Sequence, residues 1–515
     1  MRIFLLIIFT LTVFSSRVNS NTLSTHNNPL LNLSSLANSS VILQSVQCQE
    51  LQLVGQSYSK PDTVERCWFL EVPEDYTQPE GKKIKIAVAK THSLNEKKGA
   101  ILYLNGGPGG MSLNDAEYSD SYLSALASNH DIYFVDQRGT GYSIPSLSCS
   151  FGDSGTARQI KNCKNSFANR GIALDKYTNM NSALDLLVLE KKLTAKNQLN
   201  DGWKLYGVSY GTRLAMTMAR EEQKQVIAGY QQSAATRMMI LDGVFPIEVN
   251  GLKDIAWSNY ESLDRLLEVC NRSRPYCEEN KLKADLDARF GELNERYRLP
   301  LLTYLIHQSM SFSYSSPNFQ EYEPVSLLNL PKSQIESDII SMATEPYDSS
   351  KPESFVGMSL SNICMEAVQK PAYHTVHPSR DKWGPNVQNV VDASHHLEFS
   401  KDACRIWDLL ATPASHYDSM DPVSYPVLLL NGANDGQTPP VWGEISSTKF
   451  SNKLSLTFDS GGHGIVLYAS DVAVSDLLDG DACLRDIVVG AINSPQTMHN
   501  MDISCLNTQE FSYTP

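Results

Sequence analysis

Positive charge is scarce in this chain. Its 43 Lys and Arg face 57 Asp and Glu, a formal charge of −14 over 515 residues, which argues against nucleic acid or an anionic membrane as a partner. No internal repeat or low-complexity tract interrupts it, so a large domain with an insertion, or two domains, account for the length. The ten cysteines include no C-x-x-C pair and lack the His partners of a zinc site. An even set without metal spacing is expected to form disulfides in an exported chain. Pairing of neighbours in sequence is the expectation, Cys270 with Cys277 above all.

The N-terminus supports export. Met1-Arg2 precedes an apolar run from Ile3 to Phe14, and Val18-Asn19-Ser20 offers compact residues at the positions of a cleavage site. The run is well short of the roughly 20 apolar residues that span a bilayer. Residues 1–20 are therefore expected to be a removable signal peptide, leaving a secreted or periplasmic protein with no membrane attachment. Asn32, Asn38 and Asn271 lie in N-x-S triplets, glycosylation acceptors in a eukaryotic host.

Residues 21–45 are rich in Asn, Ser and Leu and are expected to be a poorly ordered lead-in. Trp68–Val72 and Ile84–Val88 then alternate around Pro79-Glu80-Gly81 as an antiparallel ribbon. Short apolar runs follow at 100–104, 132–135, 205–206, 238–241, 427–430 and 454–458, each closed by Gly, Asn or Asp and several separated by helical stretches. That is the signature of buried parallel strands in an α/β sheet. Between 241 and 427 the rhythm breaks. Leu263, Leu266 and Leu267, and Leu282, Leu286, Phe290 and Leu293, repeat at helical spacing. The expected organisation is a core at 46–245, a mainly helical cap at 246–418, and the rest of the core with a tail at 419–515.

Gly207-Val208-Ser209-Tyr210-Gly211 stands between an apolar strand and a helical stretch, the context of a nucleophile elbow. Upstream, Asn105-Gly106-Gly107-Pro108-Gly109-Gly110 ends another strand with a backbone nearly free of side chains. It lacks the Lys and Ser/Thr of a phosphate loop. The N–H groups of Gly107 and Tyr210 are the expected oxyanion donors. A hydroxyl nucleophile needs a base, and the base needs an orienting carboxylate, in the chain order Ser, acid, His for this elbow. Asp435 follows the 427–430 strand and His463 the next one, with Asp459 and Asp421 as competing acids. His374, His377, His395 and His396 read as solvated or core-satisfied. Attack by Ser209, proton transfer to His463 and an acyl-enzyme need no metal or organic cofactor.

Taken together with Asp136-Gln137-Arg138-Gly139-Thr140-Gly141-Tyr142-Ser143, these blocks resemble the prolyl and tripeptidyl aminopeptidase family of serine peptidases, closest to the tripeptidyl type. The resemblance spans about residues 68–470, and the Cys483–Cys505 tail is similar to the C-terminal segment of tripeptidyl-type members. It implies an α/β-hydrolase fold with a helical cap, and release of proline or short peptides such as tripeptides from peptides with a free N-terminus. Cys364-Met365-Glu366 resembles an element found after the cap, which would make Glu366 the anchor for the substrate ammonium. Asn105 and Tyr210 stand where prolyl-type members have His and Trp, and Glu221–Thr236 is longer than the family norm, so substrate preference stays open. So do two other readings, a secreted carboxylesterase or amidase with the same triad and a binding protein of the same fold without catalysis.

Overall fold

The computed structural model describes residues 30–508 except 54, 122, 152–155, 274–277, 312–329, 338–354, 370–371, 375, 395–397, 410–419, 459–460 and 467–481. The expected signal peptide, the Cys270–Cys277 pair, Asp459, His395 and His396 lie wholly or in part outside the described residues.

Eleven strands with described bounds follow the chain: β1 (Ile42–Val46), β2 (Gln52–Leu53), β3 (Gln56–Ser57), β4 (Val64–Pro73), β5 (Lys83–Thr91), β6 (Gly99–Leu104), β7 (His130–Val135), β8 (Trp203–Val208), β9 (Thr236–Asp242), β10 (Val427–Gly432) and β11 (Lys453–Phe458). Nine form one sheet in the order β1-β4-β5-β7-β6-β8-β9-β10-β11, and β2 pairs with β3. Pairing is antiparallel from β1 to β7 and parallel from β7 through β6 to β11. This mostly parallel sheet, with its β7-β6-β8 crossover, is the α/β-hydrolase fold.

The inner parallel strands β6 to β10 are mostly apolar and buried because both faces are covered, whereas edge strand β11 keeps Lys453, Ser455 and Thr457 exposed. Ile101, Tyr103, Ile132, Phe134, Met238, Ile240, Leu428 and Leu430 share a core with the helices Ser124–Ala127 and Ala482–Asn493. The helices Asn179–Ala195 and Tyr210–Ile227 contribute nothing to that core; they pack on each other, and the latter against β8, so the intervening residues Leu102 and Leu205 are also fully buried. Each such side chain contributes about 1.5–3 kcal/mol relative to exposure.

Residues 33–46 correct one expectation. What reads as a poorly ordered lead-in is the helix Leu33–Ser40 followed by β1, the edge strand of the sheet. The Asn32 side chain caps that helix by accepting from the Ser35 N–H at 3.0 Å, and Leu33, Leu36 and Ala37 are buried at helical spacing. Eight residues are too few for that periodicity to stand out.

Between β9 and β10 the described elements are helical. Leu263, Leu267, Leu282, Leu286, Phe290 and Leu293 gather with Trp383, Val387 and Val391 into a core of their own. Among the described residues four disulfides join neighbours in sequence: Cys48–Cys67, Cys149–Cys163, Cys364–Cys404 and Cys483–Cys505. Such bonds form in oxidising compartments. Among the described residues no helix is long and apolar enough to cross a membrane.

Candidate active site

Four loops at the C-terminal ends of β6, β8, β10 and β11 carry the residues singled out above. Ser209 sits between β8 and the helix Tyr210–Ile227 with φ 57° and ψ −127°, a conformation that costs a non-glycine residue roughly 1–3 kcal/mol. The surroundings hold it there. Its N–H donates to the Asp242 carbonyl at 2.9 Å, and its carbonyl accepts from the Thr212 N–H at 2.9 Å and Oγ1 at 2.7 Å. Gly207 and Gly211 are required by close approach: a Cβ on Gly207 would strike the Gly211 carbonyl, and one on Gly211 the carbonyl of Leu104. The elbow therefore interlocks with the end of β6.

The loop after β6 is built around Asn105. Its Oδ1 accepts from the Gly106 N–H at 2.7 Å, while Nδ2 donates to the Met111 carbonyl at 2.8 Å and to Asp115 Oδ2 at 2.6 Å. Gly106 lies so near Ser209 that a Cβ there would stand 2.9 Å from Ser209 Cβ. Gly107 has φ +112°, and Tyr210 is the first residue of its helix, whose N-terminal N–H groups point out of the helix end. The helix Val356–Gln369 secures the same loop: the Phe355 N–H donates to the Gly109 carbonyl at 3.0 Å and Ser359 Oγ to the Pro108 carbonyl. Asn362 Oδ1 accepts from Tyr210 Oη at 3.1 Å.

His463 Nδ1 donates to Asp435 Oδ2 at 2.7 Å. Asp435 is almost fully buried and also accepts from the N–H groups of Gln437 and Thr438, each at 2.9 Å, and from Thr438 Oγ1 at 2.6 Å. Burial pulls the imidazole pKa down, but the charge and hydrogen bond of Asp435 and the charge of Asp242 outweigh it, and the net shift is upward. Of the competing acids, Asp421 is exposed. Ser209 and His463 line one cleft of about 650 Å³ with Asn105, Gly106, Gly107 and Gln437. Asp115 also lines it, and burial together with the charges of Asp136 and Glu117 pushes its carboxyl up to about 7 against the pull of Tyr103 and Asn105.

Asp242 went unnoticed in the sequence. It ends β9, is fully buried, and its Oδ1 accepts from the Ile465 N–H at 2.6 Å while Oδ2 accepts from the Val466 N–H and Tyr206 Oη, each at 2.9 Å. It thus grips the two residues that follow Gly464 in the His463 loop. Burial raises its carboxyl pKa more than these donors lower it. An acidic residue closing an apolar strand was the available signal. Glu366 lies on the helix Val356–Gln369, but its side chain is outside the described residues. His374 and His377 are tied into the helical region between β9 and β10: His374 stacks on Trp257 with ring centroids 4.0 Å apart, and His377 Nε2 contacts Glu261 Oε1 at 2.5 Å.

Residues 390–480, which include Asp435 and His463, match the family model described as TAP-like protein. The chain is similar to the TAP-like α/β-hydrolases. A tripeptidyl aminopeptidase of Streptomyces coelicolor is 30% identical over 217 residues, 37% of this chain and 36% of that protein. The serine protease Hip1 of Mycobacterium tuberculosis is 27% identical over 221 residues, 38% of this chain and 40% of that protein. Carboxylesterase B of the same organism is 33% identical over 86 residues, 16% of each. The chain thus spans little more than a third of the tripeptidyl aminopeptidase it matches. The TAP-like segment begins within the helix Pro385–Ala393 and runs through β10 and β11, so the match covers the loops that carry Asp435 and His463 and not the turn that carries Ser209.

Proposed function

We propose that this chain is an exported serine peptidase that releases one or a few residues from the free N-terminus of peptides. The observation that carries the reading is the 2.7 Å bond to Asp435 from His463, which lines one cleft with Ser209. In this mechanism His463 accepts the Ser209 proton through Nε2 as the hydroxyl oxygen attacks the scissile carbonyl. Asp435 holds the proton of Nδ1 and favours the imidazolium that forms. The N–H groups of Gly107 and Tyr210 stabilise the oxyanion, each worth about 2.7–4 kcal/mol in such sites. His463 then protonates the leaving amine, and a water activated by the same imidazole releases the acyl group from Ser209.

The tripeptidyl aminopeptidase and serine protease relatives support a peptide substrate. The four disulfides support export. In the same reading, residues 246–418 are a cap that narrows the cleft and Glu366 receives the substrate ammonium. Glu366→Gln is then expected to raise KM for unblocked peptides, and unchanged kinetics would remove that assignment. The carboxylesterase relative keeps an esterase as the second reading. Hydrolysis of prolyl, alanyl and tripeptidyl anilides, each with a free and an acetylated N-terminus, separates the two. Cleavage confined to free N-termini and abolished in Ser209→Ala is the expected result; equal cleavage of blocked substrates would favour the esterase.

A further inference from the structure

A second cavity, of about 150 Å³, lies against the two expected oxyanion donors. Gly107, Pro108, Tyr210, Phe245, Leu252 and, from the helix Val356–Gln369, Ile363 line it. Neither Ser209 nor His463 is among its lining residues, while Gly107 lines both this cavity and the cleft described above.

The polar groups around this cavity are occupied by the protein. The Arg213 guanidinium donates to the carbonyls of Ile247 at 2.8 Å and Val249 at 2.9 Å, and lies 4.3 Å from the centroid of the Phe245 ring. Asn362 Nδ2 donates to the Tyr177 carbonyl at 3.1 Å, and Asn362 Oδ1 accepts from Tyr210 Oη. Phe245 is fixed by stacking on Trp442, with ring centroids 5.4 Å apart, and by its N–H bond to Thr212 Oγ1 at 2.8 Å. The remaining surface of Pro108, Phe245, Leu252 and Ile363 is apolar. A cavity of about 150 Å³ has room for a benzene ring.

We infer that this cavity receives the side chain of the residue that supplies the scissile carbonyl, and that it selects uncharged apolar side chains up to the size of a phenyl group. The inference rests on the peptidase reading. With the carbonyl oxygen held between the Gly107 and Tyr210 N–H groups, the adjoining Cα carries the substrate group nearest to a pocket walled by both donors. The leaving amine has to face His463, which lines the other cleft. A lysine or arginine at this position would bring its cation toward the Arg213 guanidinium across an apolar lining. An alanine would leave the pocket unfilled, and each methylene added in such a pocket is worth about tenfold or more in kcat/KM.

The test is a series of unblocked peptide anilides with Ala, Leu, Phe, Lys or Glu at the residue bearing the scissile carbonyl. It is assayed on the wild-type enzyme, Ile363→Trp and Leu252→Trp, with fluorophosphonate labelling of Ser209 run on each. Wild type is expected to prefer Leu and Phe over Lys by at least a hundredfold. Each tryptophan, from a separate segment, is expected to lower the Phe-to-Ala ratio of kcat/KM by at least tenfold while Ser209 still labels. Equal cleavage of Lys and Leu substrates, or tryptophan variants that label normally and keep the wild-type Phe-to-Ala ratio, would overturn the assignment. Failure of Ser209 to label in the wild type, or activity surviving in Ser209→Ala, would instead defeat the peptidase reading on which it rests.

Discussion

Replacing Asp242 by asparagine tests how the His463 loop is held. The carboxylate accepts two backbone N–H groups from that loop and one hydroxyl, with both oxygens in use. Asparagine keeps the shape but turns one oxygen into an NH₂ group, so a buried donor of the loop faces another donor. A hydrogen bond to a charged acceptor contributes about 1.5–3 kcal/mol, and the same range is the expected loss of stability in a urea titration. The effect on catalysis has two parts of different sign. A loosened His463 misplaces the base, and displacements on the order of 1 Å cost about a hundredfold, so kcat/KM at its plateau is expected to fall by between tenfold and a hundredfold. Loss of the Asp242 charge removes one of the influences that raise the His463 pKa. Since the base has to be neutral, the acidic limb of kcat/KM against pH is expected to move to lower pH. A stability loss with plateau rate and limb both unchanged would reduce Asp242 to an acceptor in the core, and a limb moving to higher pH would refute the electrostatic argument.

Three further changes probe the rest of the site. Asp435→Asn leaves His463 without its carboxylate and in the wrong tautomer, so kcat is expected to fall by about ten-thousandfold with labelling of Ser209 slowed in parallel; a loss under tenfold would point to another acid. Asp115, held protonated up to about 7 in the fold, binds a proton that the unfolded chain gives up near 4. Its stabilising contribution is therefore complete below about 4 and lost as pH rises through about 7. Asp115→Asn is expected to flatten the fall of unfolding free energy over that window, and a wild-type-minus-variant difference that does not change with pH would contradict it. Cys364 and Cys404 close a loop with a sequence separation of 40, which chain entropy values at about 4 kcal/mol. Because the helix bearing Cys364 holds Gly109, the double serine variant is expected to lose stability and labelling rate together; lost stability with full labelling at low temperature would uncouple them.

The inner parallel strands were legible because burial on both faces leaves an unbroken apolar run, as in Val427–Leu430. Edge strand β1 was not, since four of its five side chains are exposed or half-buried and its sequence carries no matching signal. Ser209, Asp435 and His463 were legible from chain order and from glycine-rich loops after strands, features local to the sequence. Asp242 escaped for the opposite reason. Its partners Ile465 and Val466 are 223 and 224 residues away, and nothing near Asp242 reveals that its oxygens face their N–H groups. The role of Asn105 was hidden for a different reason: a side chain that braces its own loop through Asp115 looks in sequence like any turn residue.

The Asp136–Ser143 block, read at first only through its resemblance, has a physical account that joins these observations. Arg138 is fully buried and paired with Asp185 through two nitrogens, at 2.8 Å and 2.6 Å, and also donates to the carbonyls of Glu74 and Lys176. It fixes the segment just beyond β7. Asp136, at the end of that strand, then accepts from the N–H groups of Ser112 at 2.7 Å, Leu113 at 3.0 Å and Tyr142 at 2.8 Å. The first two belong to the continuation of the Gly106–Gly110 loop. Tight loops at strand ends present buried N–H groups that need acceptors, and here three of them are served by a carboxylate at or just beyond a strand end. Asp136 after β7 holds the oxyanion loop, Asp242 at the end of β9 holds the backbone beyond His463, and Asp435 after β10 holds both its own turn and the imidazole. Replacing any one by a residue of equal size without the charge is expected to loosen a different loop, so the three variants should differ in which catalytic step slows. Asp136→Asn should weaken oxyanion stabilisation and lower kcat without moving the acidic limb that Asp242→Asn shifts.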